Sequence, residues 1–186
     1  MSHKGYSLEH EIETYFLQIG NQDKNMPFDK RTFRVPFSGM MTSLKGDVRT
    51  NCINWLPQQL MIECKDRRTK NKNQGVVFNL ELEWLFKLVK EAKAEDRMPV
   101  FIFAFKGTKF NRLQAMIHFK NPLFYQNSPR YYPILTKNGV RFVKKELDEL
   151  YNNSEGYTAD LPNNWVLFSW NKFDALLKSI KEKAKK

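Results

Sequence analysis

Gly46-Asp47-Val48-Arg49-Thr50-Asn51-Cys52-Ile53 is followed, across Asn54-Trp55-Leu56-Pro57-Gln58, by Gln59-Leu60-Met61-Ile62-Glu63-Cys64-Lys65. Both flanks favour extended structure, and the Trp-Leu-Pro connection predicts a hairpin centred near Trp55. Side chains alternate along a strand, so Met61, Glu63 and Lys65 share one face. Leu60, Ile62 and Cys64 share the other. A hairpin of this span sets Asp47 opposite or diagonal to Glu63. Register decides the outcome, because a slip of one residue sends a carboxylate to the wrong face. In the favourable register two carboxylates and an amine converge at one strand edge.

Converging carboxylates repel unless a cation lies between them. Hard oxygen donors with positions open to water and phosphate suit Mg2+, and Mn2+ is expected to substitute. Such an ion lowers the pKa of bound water and neutralises charge on a phosphate oxygen, the requirements of phosphodiester hydrolysis. Lys65 would orient the attacking water, or deprotonate it were its own pKa depressed. The plainer reading of Glu-Cys-Lys alone is a solvated ion pair at a strand end. Gly-Asp at hairpin spacing, in a basic chain, favours the site.

Working outward, an amphipathic helix is predicted over 7–19, with Leu8, Ile12, Tyr15, Phe16 and Ile19 on one stripe. A short strand over 32–35 precedes the hairpin. Residues 66–74, rich in Lys and Asn, read as a loop. Asn79 is placed to cap a helix whose Leu82, Leu85, Phe86 and Val89 keep helical spacing to about Glu95. Residues 100–105 are apolar on both faces, as in a central buried strand. Another strand follows at 113–119. The order is helix, three strands, helix, two strands: an α/β core with a mixed sheet flanked by helices.

Beyond 119 the pattern weakens. Residues 131–135 and 140–143 could pair around Asn138-Gly139, a dipeptide suited to a type I′ turn. A short helix at 144–151 and a strand at 165–170 follow. Asn171 is placed to cap a last helix bearing Phe173, Leu176, Leu177 and Ile180. Lys181, Lys183, Lys185 and Lys186 read as a frayed tail with loose affinity for DNA.

The 186 residues include 31 Lys or Arg against 20 Asp or Glu, a net charge of +11. With 41% hydrophobic and 14% aromatic residues the chain has the material for one ordinary core, which argues against disorder. No apolar run approaches a membrane span, and the N-terminus lacks a secretory layout. Two cysteines exclude a disulfide framework and favour a reducing, cytoplasmic setting. Cys52 and Cys64 read as small buried apolar residues. His3, His10 and His118 are too scattered for a zinc site. The basic excess points to nucleic acid as partner.

Asp47 with Glu63-Cys64-Lys65 in this element order resembles the PD-(D/E)xK nuclease superfamily. Lys4-Gly5-Tyr6-Ser7-Leu8-Glu9-His10-Glu11 resembles, more narrowly, the opening of archaeal Holliday junction resolvases and their phage relatives. Arg34-Val35-Pro36-Phe37-Ser38-Gly39 is similar to that family's Arg-x-x-x-Ser-Gly segment. The resemblance spans residues 4–119. It departs at His10, where the family commonly has Arg, and at Gly46, where the superfamily name has Pro.

The resemblance implies a restriction-endonuclease-like fold, with a nuclease core over 1–119. Residues 120–186 would form an extension packed on, or continuing, the same domain. It implies that Asp47, Glu63 and the Cys64 backbone carbonyl bind Mg2+, with Glu9 joining directly or through water. Catalytic roles would fall to Glu9, Asp47, Glu63 and Lys65. Lys4, Arg34 and Ser38 would contact DNA. Arg67, Arg68, Lys70 and Lys72, clustered after the active strand, suit phosphate contacts as well. Trp84 is material for the core or a dimer interface. The expected activity is Mg2+-dependent resolution of four-way DNA junctions by a homodimer. A different nuclease of the superfamily, or a basic DNA-binding module without activity, are the rivals.

Overall fold

In the computed structural model, residues 8–36, 46–67, 69–105, 113–118, 129–153, 156–161 and 164–185 are described. The chain begins with α1 (Leu8–Ile19), β1 (Phe33–Arg34), β2 (Val48–Arg49), β3 (Leu60–Arg67), β4 (Thr69–Asn71) and β5 (Gly75–Glu81). It continues through α2 (Leu82–Ala94), β6 (Met98–Phe105), β7 (Gln114–His118), β8 (Ile134–Thr136) and β9 (Gly139–Val143). It ends with α3 (Lys144–Asn153), β10 (Thr158–Leu161), β11 (Trp165–Ser169) and α4 (Trp170–Lys183).

The fold is mixed α/β. A seven-stranded sheet has the order β1-β2-β3-β6-β7-β11-β10. Its central pair, β3 and β6, runs parallel over eight residue pairs, and the other neighbours are antiparallel. A strand buried on both faces must be apolar throughout, and β6 is buried from Pro99 to Phe105. One face of this sheet carries α1 and α4. Ile12 and Phe16 meet Ile62, Val100, Ile102, Phe173 and Leu177 in a single core. The other face carries α2 and a second, four-stranded sheet of order β4-β5-β9-β8. Phe103 stacks on Phe78 at 4.3 Å between the two sheets, with Phe142 at 4.9 Å from Phe103.

Residues beyond 119 enter both layers: β8 and β9 complete the small sheet beside β5, and β11 extends the large sheet beside β7. Among the described residues no helix is long and apolar enough to cross a membrane.

Five local expectations are corrected. The stretch expected as a Lys/Asn loop is instead the end of β3 and a β4–β5 hairpin. Asn71 accepts the N–H groups of Asn73 and Gln74 at 3.0 and 3.2 Å, which turns the chain. Asn79 caps nothing: it lies within β5 opposite Arg141, whose Nε donates to its Oδ1 at 2.8 Å. Pairing with a strand some sixty residues away overrides the local capping signal. The β8–β9 connection is Lys137-Asn138, because Thr136 pairs with Gly139. Gly139 is required by crowding, since a Cβ there would stand 1.9 Å from the Leu80 carbonyl oxygen. Helix α4 starts at Trp170 rather than after Asn171, with Ser169 before it. The Ser169 Oγ is engaged by the Tyr157 N–H at 3.1 Å. Cys52 is exposed and adopts φ +52°, while Cys64 is buried.

Candidate active site

The hairpin register is Val48 against Ile62 and Arg49 against Met61. One step further the regular register ends: the Asp47 N–H donates to the Ile62 carbonyl at 2.8 Å, so Asp47 and Val48 both face Ile62. Beyond that point the ladder ends and a side chain replaces it. The Cys64 N–H donates to Asp47 Oδ2 at 2.8 Å. In an extended strand a residue's N–H and C=O point the same way, so the Cys64 carbonyl also faces the Asp47 edge. Gly46 makes this turn at φ +76°, and a Cβ there would meet Met61 Cγ at 2.8 Å. Proline, held near φ −65°, cannot adopt that conformation.

The far end of the hairpin is pinned from the connection between α2 and β6. Thr50 Oγ1 accepts the Leu60 N–H at 2.7 Å. Arg97 donates to the Thr50 carbonyl at 2.7 Å and to Asn51 Oδ1 at 2.6 Å. Arg49, buried, pairs with Glu95. The strand pair that carries the carboxylates is therefore held at both ends.

Lys65 forms an ion pair with Glu63, and its Nζ lies 3.9 Å from Asp47 Oδ2. Asp47 is only 7% exposed. Burial, and then the charge of Asp47, push the Glu63 carboxyl above its ordinary pKa against the pull of Lys65 and Lys87. Burial pulls the Lys65 ammonium down, but Glu63 and Asp47 outweigh it and the pKa lies above the usual lysine value. Glu9, half-buried in the first turn of α1, is raised by burial and then by Asp47, with Arg34 and Lys65 opposing. These acids thus feel three cations, Lys65, Lys87 and Arg34, yet Glu63 and Glu9 both stay above their ordinary values.

Glu13, one helical turn beyond Glu9, is the buried carboxylate of α1. It accepts the Arg34 backbone N–H at 3.3 Å. Arg31 Nη1 lies 3.3 Å and Arg34 Nε 3.4 Å from its oxygens, with His10 Nδ1 at 3.6 Å. Arg34 is thereby held beside Glu9 while its side chain stays 43% exposed. On the opposite side Arg67 lies over the Trp84 ring at 4.7 Å, and Trp84 stacks on Phe101 at 6.3 Å. Lys70 and Lys72 are exposed on the hairpin. Lys4, Ser38 and Arg68 lie outside the described residues.

Two residues of this neighbourhood escaped the sequence reading. Glu13 falls at i+4 from Glu9, hence on the same helix face, which was a usable signal. Lys87 falls at i+3 from Trp84, but its closeness to Glu63 depends on how α2 crosses β3.

Among the described residues no three His, Cys, Asp or Glu side chains gather closely enough to form a metal centre. After burial, Asp47 is the acid that most raises both Glu63 and Glu9. Two carboxylates and a backbone carbonyl are nevertheless hard oxygen donors, and a divalent cation would offset both the burial and the Asp47 repulsion that raise Glu63. The donor set fits Mg2+ or Mn2+ and lacks the thiolate or imidazole ligands that zinc prefers.

No protein-family model matches the chain, and no curated protein matches it. Among solved structures it is similar to a Holliday junction resolvase from the archaeal hyperthermophile Archaeoglobus fulgidus. The identity is 12% and the TM-score 0.44, over 78% of this chain and 89% of that one. A likeness so distant decides nothing about activity.

Proposed function

We propose that this chain is a Mg2+-dependent DNA endonuclease of restriction-endonuclease-like type, selective for four-way junctions and acting as a homodimer. The observation that carries the reading is the convergence of Asp47, Glu63 and Lys65, with Asp47 fixed by the Cys64 N–H. Asp47, Glu63 and the Cys64 carbonyl would hold the ion, and Glu9 would extend the acidic set through water. When bound, the ion supplies charge neutralisation at a phosphate oxygen and a lowered pKa for water.

In the reaction the oxygen of water bonds to phosphorus while the P–O bond to the departing sugar breaks. Water loses a proton and the leaving oxygen gains one. Lys65, with its raised pKa, acts as an ammonium: it orients the water and offsets negative charge. Removing a proton from water falls outside that role. Arg34, steadied by Glu13, would bind the strand next to the cut. Arg67, Lys70 and Lys72 would bind phosphates of the flanking duplex without reading bases.

A four-way junction has approximate two-fold symmetry, which a C2 dimer matches with one site per opposed strand. The test is cleavage of labelled four-way junction and of linear duplex with the same arm sequence, in Mg2+ and in chelator. Paired nicks in the junction, little cut duplex and no cleavage in chelator support the reading. Equal cleavage of both substrates would leave another nuclease of the type, and binding without cleavage a DNA-binding module.

A further inference from the structure

We infer that α4, near the end of the chain, sets the position and roll of α1, making Tyr15, Asp174 and Lys181 positioning residues for Glu9. The inference rests on the nuclease reading for what Glu9 does. It starts from how α1 is seated. Leu8, Ile12 and Phe16 lay one apolar stripe on the large sheet. Such a stripe resists lifting but specifies sliding poorly. A shift of one residue along a helix is about 1.5 Å of rise and about 100° of roll, enough to take Glu9 out of reach of Asp47.

Glu13, held by Arg31 and Arg34, ties α1 to β1, and two polar pins from α4 add to that restraint against sliding and roll. The Tyr15 hydroxyl donates to Asp174 Oδ1 at 2.7 Å, joining residues 159 positions apart. Lys178 Nζ holds the other oxygen of Asp174 at 2.7 Å. The Tyr15 ring meets Trp170 edge-on at 4.9 Å. At the end of α1, Lys181 Nζ donates to the carbonyl of Ile19 at 2.6 Å, and its stem crosses toward the Trp55 ring. The pins sit six and ten residues from Glu9, about 9 and 15 Å along a rigid helix.

Packing under α4 does not do the same work. An apolar cavity of about 150 Å³ lies between Leu60, Val100 and Ile117 of the sheet and Phe173, Leu177 and Ile180 of α4. Phe173 and Leu177 are buried in the core, but with unfilled space beside them packing alone holds the helix less tightly. The hydrogen bonds to α1 therefore sharpen a setting of the helix pair that packing leaves loose. This gives the segment beyond the nuclease-like elements a task at the site although it touches none of the acids.

The test is a mutant cycle with two readouts: Mn2+ binding to the free protein by calorimetry, and single-turnover cleavage of a four-way junction. Y15F and D174A should each weaken Mn2+ binding and slow cleavage by about tenfold or more, as loss of an outer supporting contact does. D174N keeps an oxygen for the tyrosine hydroxyl and should stay near wild type. Junction affinity in chelator should not change. In an E9Q background Y15F should add nothing further, since both act through one group. Thermal unfolding checks the fold, and if Y15F fails to fold, K181M carries the same test through the second pin. An undiminished Y15F effect in the E9Q background, or wild-type behaviour of Y15F and D174A, would overturn the inference. A wild-type protein that neither binds Mn2+ nor cleaves would instead overturn the nuclease reading beneath it.

Discussion

The Asp47 carboxylate accepts the Cys64 backbone N–H at 2.8 Å, so the first acid of the site is bonded to the strand carrying the second. A side chain here does what the next rung of the β2–β3 ladder would have done. Asp47 and Glu63 consequently share one rigid frame, and their mutual repulsion cannot relax by rotation of Asp47 into solvent.

That frame depends on Gly46. G46A forces an L residue to φ +76° against Met61, at a cost of about 1–2 kcal/mol for the left-handed backbone alone. Chemical denaturation should register that loss. Cleavage well below the melting temperature should fall further than stability accounts for, because Asp47 shifts. Gly75 is the control: its φ is +72° but nothing lies within 4 Å of a Cβ there. G75A should cost stability and spare cleavage.

The shift at Glu63 has a sign that stability can read. The folded-state pKa of Glu63 is raised, burial first and Asp47 second. Between its unfolded value, about 4.3, and the raised value, the folded chain binds more protons, so stability falls as pH rises through that window. Glutamine does not titrate. In chelator, the melting temperature of E63Q relative to wild type should therefore climb as pH rises above about 4 and then level off. A difference that shrinks with pH would contradict the assignment of Glu63 as an unrelieved buried acid.

Lys70 and Lys72 project from a hairpin that directly follows the strand bearing Glu63 and Lys65. K70Q/K72Q should weaken binding to every duplex sequence and flatten the salt dependence by about 0.9 per lost phosphate contact. Titration of DNA binding against salt, in chelator, measures this. An unchanged slope would leave the two lysines as solvated charge.

The apolar faces around the site were legible from local pattern. The alternation around Glu63 and the stripe of Leu8, Ile12 and Phe16 fix faces without knowledge of partners, and both hold. How Asp47 meets Glu63 was left open, as it had to be: the regular register ends at Val48, and Asp47 is placed by its bonds to Ile62 and Cys64. Strand pairing accounts for part of the errors, while the α4 start and the exposure of Cys52 were misread locally. Asn79 looks like a cap until β9 pairs with β5, and residues 66–74 look like a loop until Asn71 and Gly75 close a hairpin. Lys87 was invisible for the same reason. Helix spacing gives its face but not the strand it crosses.

The central claim is that Asp47 and Glu63 are the acids on which DNA cleavage depends. The direct measurement is single-turnover cleavage of a labelled four-way junction in Mg2+ by wild type, D47N and E63Q, with junction affinity taken in chelator. Each variant should lose about 3 kcal/mol or more of transition-state stabilisation, at least about a hundredfold in rate. Affinity should hold or rise, since negative charge beside the phosphates is removed. Cleavage by D47N or E63Q at the wild-type rate would contradict the account.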